Sequence, residues 1–154
     1  MTNVCIRDTE EKDLQQIEAL EHACFSRPWP IDMLRRQLHS DRHEFLVAVC
    51  GSRVLGYIGM LHVMDEGYIS NIAVAEDARR QGVGAMLVEE MLRRCEMLSL
   101  LFVTLEVRAS NEPAIRLYER YSFAPVGRRK GYYDAPKEDA ILMTKYWKEV
   151  DETC

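Results

Sequence analysis

Glu106 is the acidic residue that the sequence places best for proton transfer. It stands near the end of an apolar run, residues 101–107, that is typical of a buried strand leading into a loop. A carboxylate at such a strand end could act as a general base and take a proton from an attacking amine. A merely solvated strand end would show the same pattern, so both interpretations stay open at this point.

Tyr118 is the matching candidate for a general acid. It lies about two turns into a helix predicted to begin after Asn111 and on the apolar face of that helix. A tyrosine hydroxyl is protonated at neutral pH and could protonate a leaving thiolate, although tyrosines at apolar helix positions are also common in cores. Direct transfer between such a pair needs no covalent enzyme intermediate, and we therefore expect no nucleophilic cysteine.

Amine pKa values decide which acceptor such a base could serve. An α-amine has an unperturbed pKa of about 8, and a lysine side chain has one of about 10.4. At pH 7 roughly a tenth of an α-amine is neutral, against only a few lysine side chains in about ten thousand. A carboxylate, acting directly or through a water molecule, therefore suits an α-amine far better.

A basic, glycine-containing turn joins a predicted strand, residues 68–74, to a predicted helix. The first amides of a helix lack intrahelical acceptors, and their aligned dipoles favour an anion. Gly82 and Gly84 let ligand oxygens approach the backbone, and Arg79 and Arg80 add positive charge. The turn lacks the Gly-Lys-Ser/Thr ending of a Walker A loop and the third glycine of a dinucleotide fingerprint. It predicts a phosphate-bearing ligand, although two glycines at a helix start also occur in ordinary turns.

The arrangement Arg79-x-x-Gly82-x-Gly84 resembles the pyrophosphate loop of the GCN5-related N-acetyltransferase (GNAT) superfamily, which holds acetyl-CoA. Residues 71–74 are similar to the fourth strand of that fold, which lies beside the pantetheine arm. The resemblance implies acetyl-CoA as co-substrate. It also implies these contacts to acetyl-CoA: Ile72, Ala73, Val74, Arg79, Arg80, Gln81, Gly82, Val83, Gly84, Ala85 and Asn111.

Longer segments, residues 105–111 and 129–133 among them, resemble the RimI-type ribosomal-protein-alanine N-acetyltransferases, and the similarity covers about residues 28–143. It implies that Glu106 accepts the proton, that Tyr118 donates one, and that the acceptor is the N-terminal alanine of a small-subunit ribosomal protein. Ser122 departs from the family, which often has Gly there, and a non-Gly residue would strain a left-handed helix cap.

Three aromatic residues are candidates for the acceptor side of the cleft. Trp29 stands between Pro28 and Pro30, where it is either a packed hinge or a cleft wall, and Tyr132 and Tyr133 stand on a predicted loop, residues 130–136. A closed, acidic acceptor site around these residues would instead indicate a lysine, polyamine or other small amine as acceptor. A non-catalytic acetyl-CoA-binding module is the alternative from another class, and the presence of both Glu106 and Tyr118 argues against it.

The elements that position these residues are predicted from periodicity and turn chemistry. Thr9 should cap a first helix that ends near Phe25, Asn111 should cap the last helix, and Gly56 and Gly59 predict a bulge or a close backbone approach.

The expected fold is a single α/β (α+β) GNAT domain, residues 1–148, with a mixed, twisted sheet of about seven strands and about four helices. The sheet should splay between strands four and five to admit acetyl-CoA. Residues 149–154 are expected to form a frayed tail. The predicted strands are residues 3–7, 44–50, 53–63, 68–74, 101–107, 123–129 and 140–146.

Composition excludes several other classes of protein. The net charge of −5 argues against a nucleic-acid binder and is compatible with a basic protein partner. The 5 cysteines are scattered and the 4 histidines show no ligand spacing, so we expect reduced thiols and no metal. Because no apolar run approaches the roughly 20 residues of a membrane span and the N-terminus resembles no signal peptide, a cytoplasmic protein with no membrane contact is expected.

Overall fold

The computed structural model describes residues 3–147. Within that range the chain forms four α-helices and seven strands, and all strands belong to one sheet. The helices are α1 (Leu14–Cys24), α2 (Ile31–Leu38), α3 (Val83–Met97) and α4 (Glu112–Arg120). The strands are β1 (Cys5–Asp8), β2 (His43–Cys50), β3 (Arg53–Val63), β4 (Glu66–Val74), β5 (Phe102–Arg108), β6 (Ala124–Tyr133) and β7 (Glu138–Tyr146).

The strands follow the order β1-β2-β3-β4-β5-β7-β6, and only β4 and β5 run parallel. Their ladder is short, since its last pair is Tyr68 with Thr104. Beyond that pair β4 continues to Val74 along β3, and β5 continues to Arg108 along β7. The sheet therefore opens between β4 and β5, as predicted, and the edge of residues 72–74 that faces β5 has no ladder partner there.

Both faces of the sheet are covered, which explains why β2 is apolar along its whole length. Leu46 and Ala48 pack into a core beneath α3 and α4, whereas Phe45 and Val47 pack into a second core beneath α1 and α2. Successive strand residues point to opposite faces, so a strand buried on both sides has no polar alternation. None of the helices within residues 3–147 is both long and apolar enough to cross a membrane.

Several local predictions are confirmed. Helix α2 and strand β3 have the predicted bounds, and the pairing of β3 with β4 shifts between Gly59 and Met60. A Cβ atom on Gly56 would lie 2.7 Å from the carbonyl oxygen of Ala73, so this glycine permits the close approach of β4. Ser122 has a positive φ of 71°, so it takes the left-handed conformation expected at that helix end.

Two local predictions are wrong. Thr9 does not cap α1, because a 3₁₀ turn, Glu11–Asp13, precedes the helix and Asp13 accepts the backbone N–H of Glu10 at 2.8 Å. Tyr132 and Tyr133 are not on a loop, because β6 continues to Tyr133. The register of β6 against β7 shifts between Arg129 and Tyr133. Gly131 lies within this shift, with a φ of 60° and an N–H that donates to Asp139 at 2.8 Å. The predicted frayed tail lies outside the described residues.

Candidate active site

Glu106 lies at the opening between β4 and β5. The alternation of β5 turns Leu105 and Val107 into the core and Glu106 to the other face. Its side chain is only 6% exposed. One carboxylate oxygen, Oε1, accepts a hydrogen bond from the Tyr68 hydroxyl of β4, and Oε2 lies 2.6 Å from Nε of Arg129 on β6. Both oxygens of the predicted base are therefore engaged by donors.

Tyrosines surround this carboxylate. Burial, and next the negative charge of Glu106, raise the pKa of Tyr133 to about 12. Burial and the hydrogen bond to Glu106 also raise the pKa of Tyr68. The rings of Tyr132 and Tyr133 meet edge to face with centroids 5.1 Å apart, and the Arg108 guanidinium lies 4.4 Å from the Tyr133 centroid. The structure thus brings Tyr132 and Tyr133 to Glu106, and at neutral pH the Tyr68 and Tyr133 hydroxyls are proton donors.

Tyr118 lies on α4 at the edge of this group. It is 4% exposed, and its ring packs against Phe123 with centroids 5.7 Å apart. Burial, and to a smaller extent the neighbouring Tyr133, raise its pKa. The hydroxyl is therefore protonated at neutral pH, as a general acid requires, while the ring also belongs to the core. The core interpretation of Tyr118 is therefore confirmed, and its role as general acid stays a prediction.

The predicted phosphate turn connects the free edge of β4 to the start of α3. Gly82 precedes the helix with a φ of 83°, a conformation that costs glycine little, and Arg80 also has a positive φ. No described side chain caps the first amides of α3. A Cβ atom on Gly82 would meet nothing within 4 Å, and one on Gly84 would lie 3.5 Å from Leu117. The helix start is open, and the residues present fit an anionic group.

Two of the predicted acetyl-CoA contacts also have structural roles. Arg79 donates through Nε to the carbonyl oxygen of Val74 at 3.2 Å and lies 3.5 Å from the sulfur of Cys24, so it ties the turn to the end of β4. Asn111 caps α4, since its side-chain oxygen accepts the N–H of Ala114 at 3.3 Å, as predicted. Arg80 and Gln81 are exposed beside the helix start.

Trp29 lies in the linker between α1 and α2. It is partly buried against the second core, and its backbone N–H donates to Oε1 of Glu21 at 2.7 Å. The other oxygen of Glu21 accepts from Nδ2 of Asn71 at 2.7 Å and from the hydroxyl of Tyr57. Glu21 is fully buried, and none of its described partners carries a positive charge. The packed position of Trp29 favours the hinge interpretation, although part of its surface stays accessible.

The linker between α1 and α2 also reaches the β6–β7 loop. Ser26 donates to the carbonyl oxygen of Asp134 at 3.4 Å, and the Arg27 guanidinium lies 3.1 Å from the Asp134 carboxylate. The linker that carries Trp29 and the strand end that carries Tyr132 therefore border one side of the molecule. Within residues 3–147, no group of three or more His, Cys, Asp and Glu side chains is arranged to hold a metal ion.

Three residues of this region had no site role predicted from the sequence. Glu21 carried a signal, since it is a charged residue on the apolar face of a predicted helix, where a carboxylate has to find donors. Arg129 belongs to the segment used for the family resemblance but had no role assigned. Tyr68 had no signal, because only the parallel pairing of β4 and β5 brings it to Glu106.

Comparisons with known proteins agree with this geometry. A model of the acetyltransferase (GNAT) family matches residues 14–123. The [ribosomal protein bS18]-alanine N-acetyltransferase of Escherichia coli (strain K12) is 43% identical over 140 residues, which cover 90% of this chain and 94% of that protein. The N-alpha-acetyltransferase of Saccharolobus solfataricus is 31% identical over 153 residues, which cover 91% of each chain.

A solved structure extends the likeness to three dimensions. The crystal structure of the ribosomal-protein-S18-alanine N-acetyltransferase from Escherichia coli superposes with a TM-score of 0.90 over 99% of each chain, at 29% sequence identity. The family match covers most of the chain, and the sheet opens where a GNAT fold should open. The chain therefore belongs to the acetyltransferase (GNAT) family.

Proposed function

We propose that this protein transfers the acetyl group of acetyl-CoA to the α-amine of an N-terminal alanine, and that its acceptor is the small-subunit ribosomal protein bS18. The observation that carries the proposal is the nearly buried Glu106 at the opening between β4 and β5, in a fold whose free β4 edge leads to the uncapped start of α3. The relatives named for bS18 support the choice of acceptor. A ribosomal acceptor places the reaction in the cytoplasm.

The residues of this chain divide the work of the reaction. The open helix start after Gly82, with Arg80 beside it, holds the pyrophosphate of acetyl-CoA, and the free edge of residues 72–74 lies along its pantetheine arm. Acetyl-CoA supplies the thioester carbonyl carbon that the amine attacks. Trp29, Tyr132 and Tyr133 border the acceptor side.

Proton transfers complete the exchange. As the new carbon–nitrogen bond forms and the carbon–sulfur bond breaks, Glu106 takes the proton that the amine loses, directly or through a water molecule. Tyr118 gives its proton to the departing sulfur; Glu106 then releases the proton that it took to solvent and Tyr118 recovers one, so both side chains return to their starting states. No enzyme side chain becomes acylated, so the buried Cys95 needs no chemical role; burial raises its pKa to about 12, which keeps it a thiol.

The test uses two peptides that copy the N-terminus of bS18. One has a free α-amine, and the other has a blocked α-amine and free lysines. We expect acetylation of the first peptide alone, read by mass spectrometry. Acetylation of the blocked peptide would show lysine chemistry and refute the proposal, and binding of acetyl-CoA without transfer to either peptide would favour the non-catalytic module.

Replacing the proposed base separates chemistry from binding. Glu106→Gln is nearly isosteric but cannot take a proton, so kcat should fall about 100-fold or more while the calorimetric affinity for acetyl-CoA stays unchanged. Glu112→Gln, which changes a carboxylate 77% exposed on α4, is the matched control and should retain wild-type turnover. Equal turnover in wild type and Glu106→Gln across the pH range would remove Glu106 from the mechanism.

A further inference from the structure

Arg129 occupies the side of Glu106 that an acceptor amine needs. Oε1 already accepts the Tyr68 hydroxyl, and burial with the adjacent carboxylate raises the pKa of Tyr68, so this phenol keeps its proton and offers no exit for another. Oε1 is held by a donor that belongs to the packed strand β4, so Oε2 is the oxygen whose partner an incoming amine can replace. That oxygen lies 2.6 Å from Nε of Arg129.

The two members of this ion pair differ in how firmly the fold holds them. The Glu106 side chain is 6% exposed, whereas the Arg129 side chain is 55% exposed. Arg129 lies on β6, an edge strand, just before the shift in register that precedes Tyr133. Because β7 separates β6 from β5 and neighbouring strands are about 4.8 Å apart, the guanidinium must reach across a whole strand to Glu106. The arginine can turn into water without disturbing the core, and the carboxylate cannot.

The Arg129 guanidinium carries a positive charge, as the acceptor α-amine does when it is protonated. An α-amine is mostly an ammonium ion at neutral pH, so the acceptor arrives as a cation that donates hydrogen bonds. A buried carboxylate with no cation is costly, and Arg129 meets that cost before the acceptor arrives. The ring of Tyr132, whose centroid is 5.8 Å from the guanidinium carbon, offers the arginine a second contact.

We propose that Arg129 is a displaceable cap on Glu106, which keeps the carboxylate oriented until the α-ammonium of the acceptor replaces the guanidinium at Oε2. The proposal rests on the function proposed above, since it takes Glu106 as the base. Arg129 acts through Glu106 and is a positioning residue. Its displacement opposes acceptor binding and adds to selectivity, since only an amine that reaches the buried oxygen can take its place.

Removing the cationic cap tests the proposal through the acceptor KM. Arg129→Met keeps much of the side-chain length and lacks the charge, so the KM for the free α-amine peptide should fall about fivefold, the factor expected for losing one partly exposed ion pair. The KM for acetyl-CoA should not change, and kcat should change by a smaller factor than the acceptor KM. Arg129→Lys restores a cation and should restore the wild-type acceptor KM.

A neighbouring arginine provides the matched control. Arg128 is 53% exposed on the same strand and pairs with Asp139 at 2.7 Å, away from Glu106. Arg128→Met should leave the acceptor KM at the wild-type value. The cap would be overturned if Arg129→Met raised the acceptor KM. It would also be overturned if Arg128→Met lowered the acceptor KM as much as Arg129→Met does, or if Arg129→Lys lowered it. These outcomes differ from a failure of the proposed function. If the proposed function were wrong, the wild-type enzyme itself would not acetylate the free α-amine peptide.

Discussion

Glu21 should be one of the most sensitive positions in the chain for stability. Its carboxylate is fully buried and accepts hydrogen bonds from three groups on three segments: the backbone N–H of Trp29, the hydroxyl of Tyr57 on β3 and Nδ2 of Asn71 on β4. The first belongs to the linker between α1 and α2. Burial and the charge of Glu21 raise the pKa of Tyr57, so this phenol remains a donor. The carboxylate joins the linker to the centre of the sheet.

The cost of Glu21→Ala follows from the donors that it leaves behind. Asn71 keeps a partner, since its Nδ2 also donates to the Tyr57 oxygen at 2.9 Å. The partly buried Trp29 N–H and the buried Tyr57 hydroxyl lose their acceptor, and a donor left without a partner away from water costs about 1–3 kcal/mol. A buried carboxylate without a neighbouring cation is itself unfavourable, so removing it offsets part of this loss of stability. The net loss should be about 2–4 kcal/mol, or a fall in melting temperature of roughly 10 °C.

The measurement is the free energy of unfolding from urea denaturation, with the melting temperature as a second readout. Glu18→Ala is the matched control, because Glu18 lies one turn earlier on α1 and accepts a single linker donor, the N–H of Ile31, at 2.8 Å. That N–H lies at the start of α2, so losing its single acceptor is comparable to losing a helix cap and should cost about 1 kcal/mol. If Glu21→Ala costs no more than Glu18→Ala, the buried hydrogen bonds are not what holds the linker to the sheet.

Two further substitutions test packing and acid catalysis. Gly56→Ala should cost about 1–3 kcal/mol of unfolding free energy, because the new methyl meets the β4 backbone, whereas Gly127→Ala, whose Cβ would be 3.9 Å from its nearest neighbour, should stay within about 0.5 kcal/mol. Tyr118→Phe should keep the ring packing but lower kcat about tenfold or more. Tyr121→Phe, just after the end of α4, should retain wild-type kcat, and equal turnover in both variants would exclude Tyr118 as the acid.

The parts of the fold that were predictable rest on local rules. The bounds of α2 follow from the prolines before it and its apolar spacing, and the β2–β3 hairpin follows from the turn at Gly51 and Ser52. The uncapped start of α3 follows from its glycines in the same way. Each of these features is set within a few residues of chain, so the sequence there contains what determines it.

The partners of Glu106 were not predictable in this way. Tyr68 reaches it across a parallel pair of strands, and Arg129 reaches it across β7, which inserts between β5 and β6 although it comes last in the chain. Periodicity indicates which face a residue takes but not which strand will be its neighbour. The tyrosine pair at residues 132 and 133 was predicted on a loop, residues 130–136, whereas the hydrogen bond from Gly131 N–H to Asp139 continues the strand to Tyr133.

The two buried carboxylates beside β4 differ in their partners, and the difference indicates their tasks. Glu21 is held by neutral donors that belong to the fold, so no incoming group can replace them without breaking packed structure. Glu106 is held on one side by such a donor, Tyr68, and on the other by a half-exposed arginine that can leave. A buried carboxylate whose hydrogen-bond donors all belong to the packed fold can hold a linker in place. A buried carboxylate with a replaceable partner can exchange protons with a substrate. The sequence assigned no role to Glu21, and only the partners in space distinguish this structural carboxylate from the one that we propose as the base.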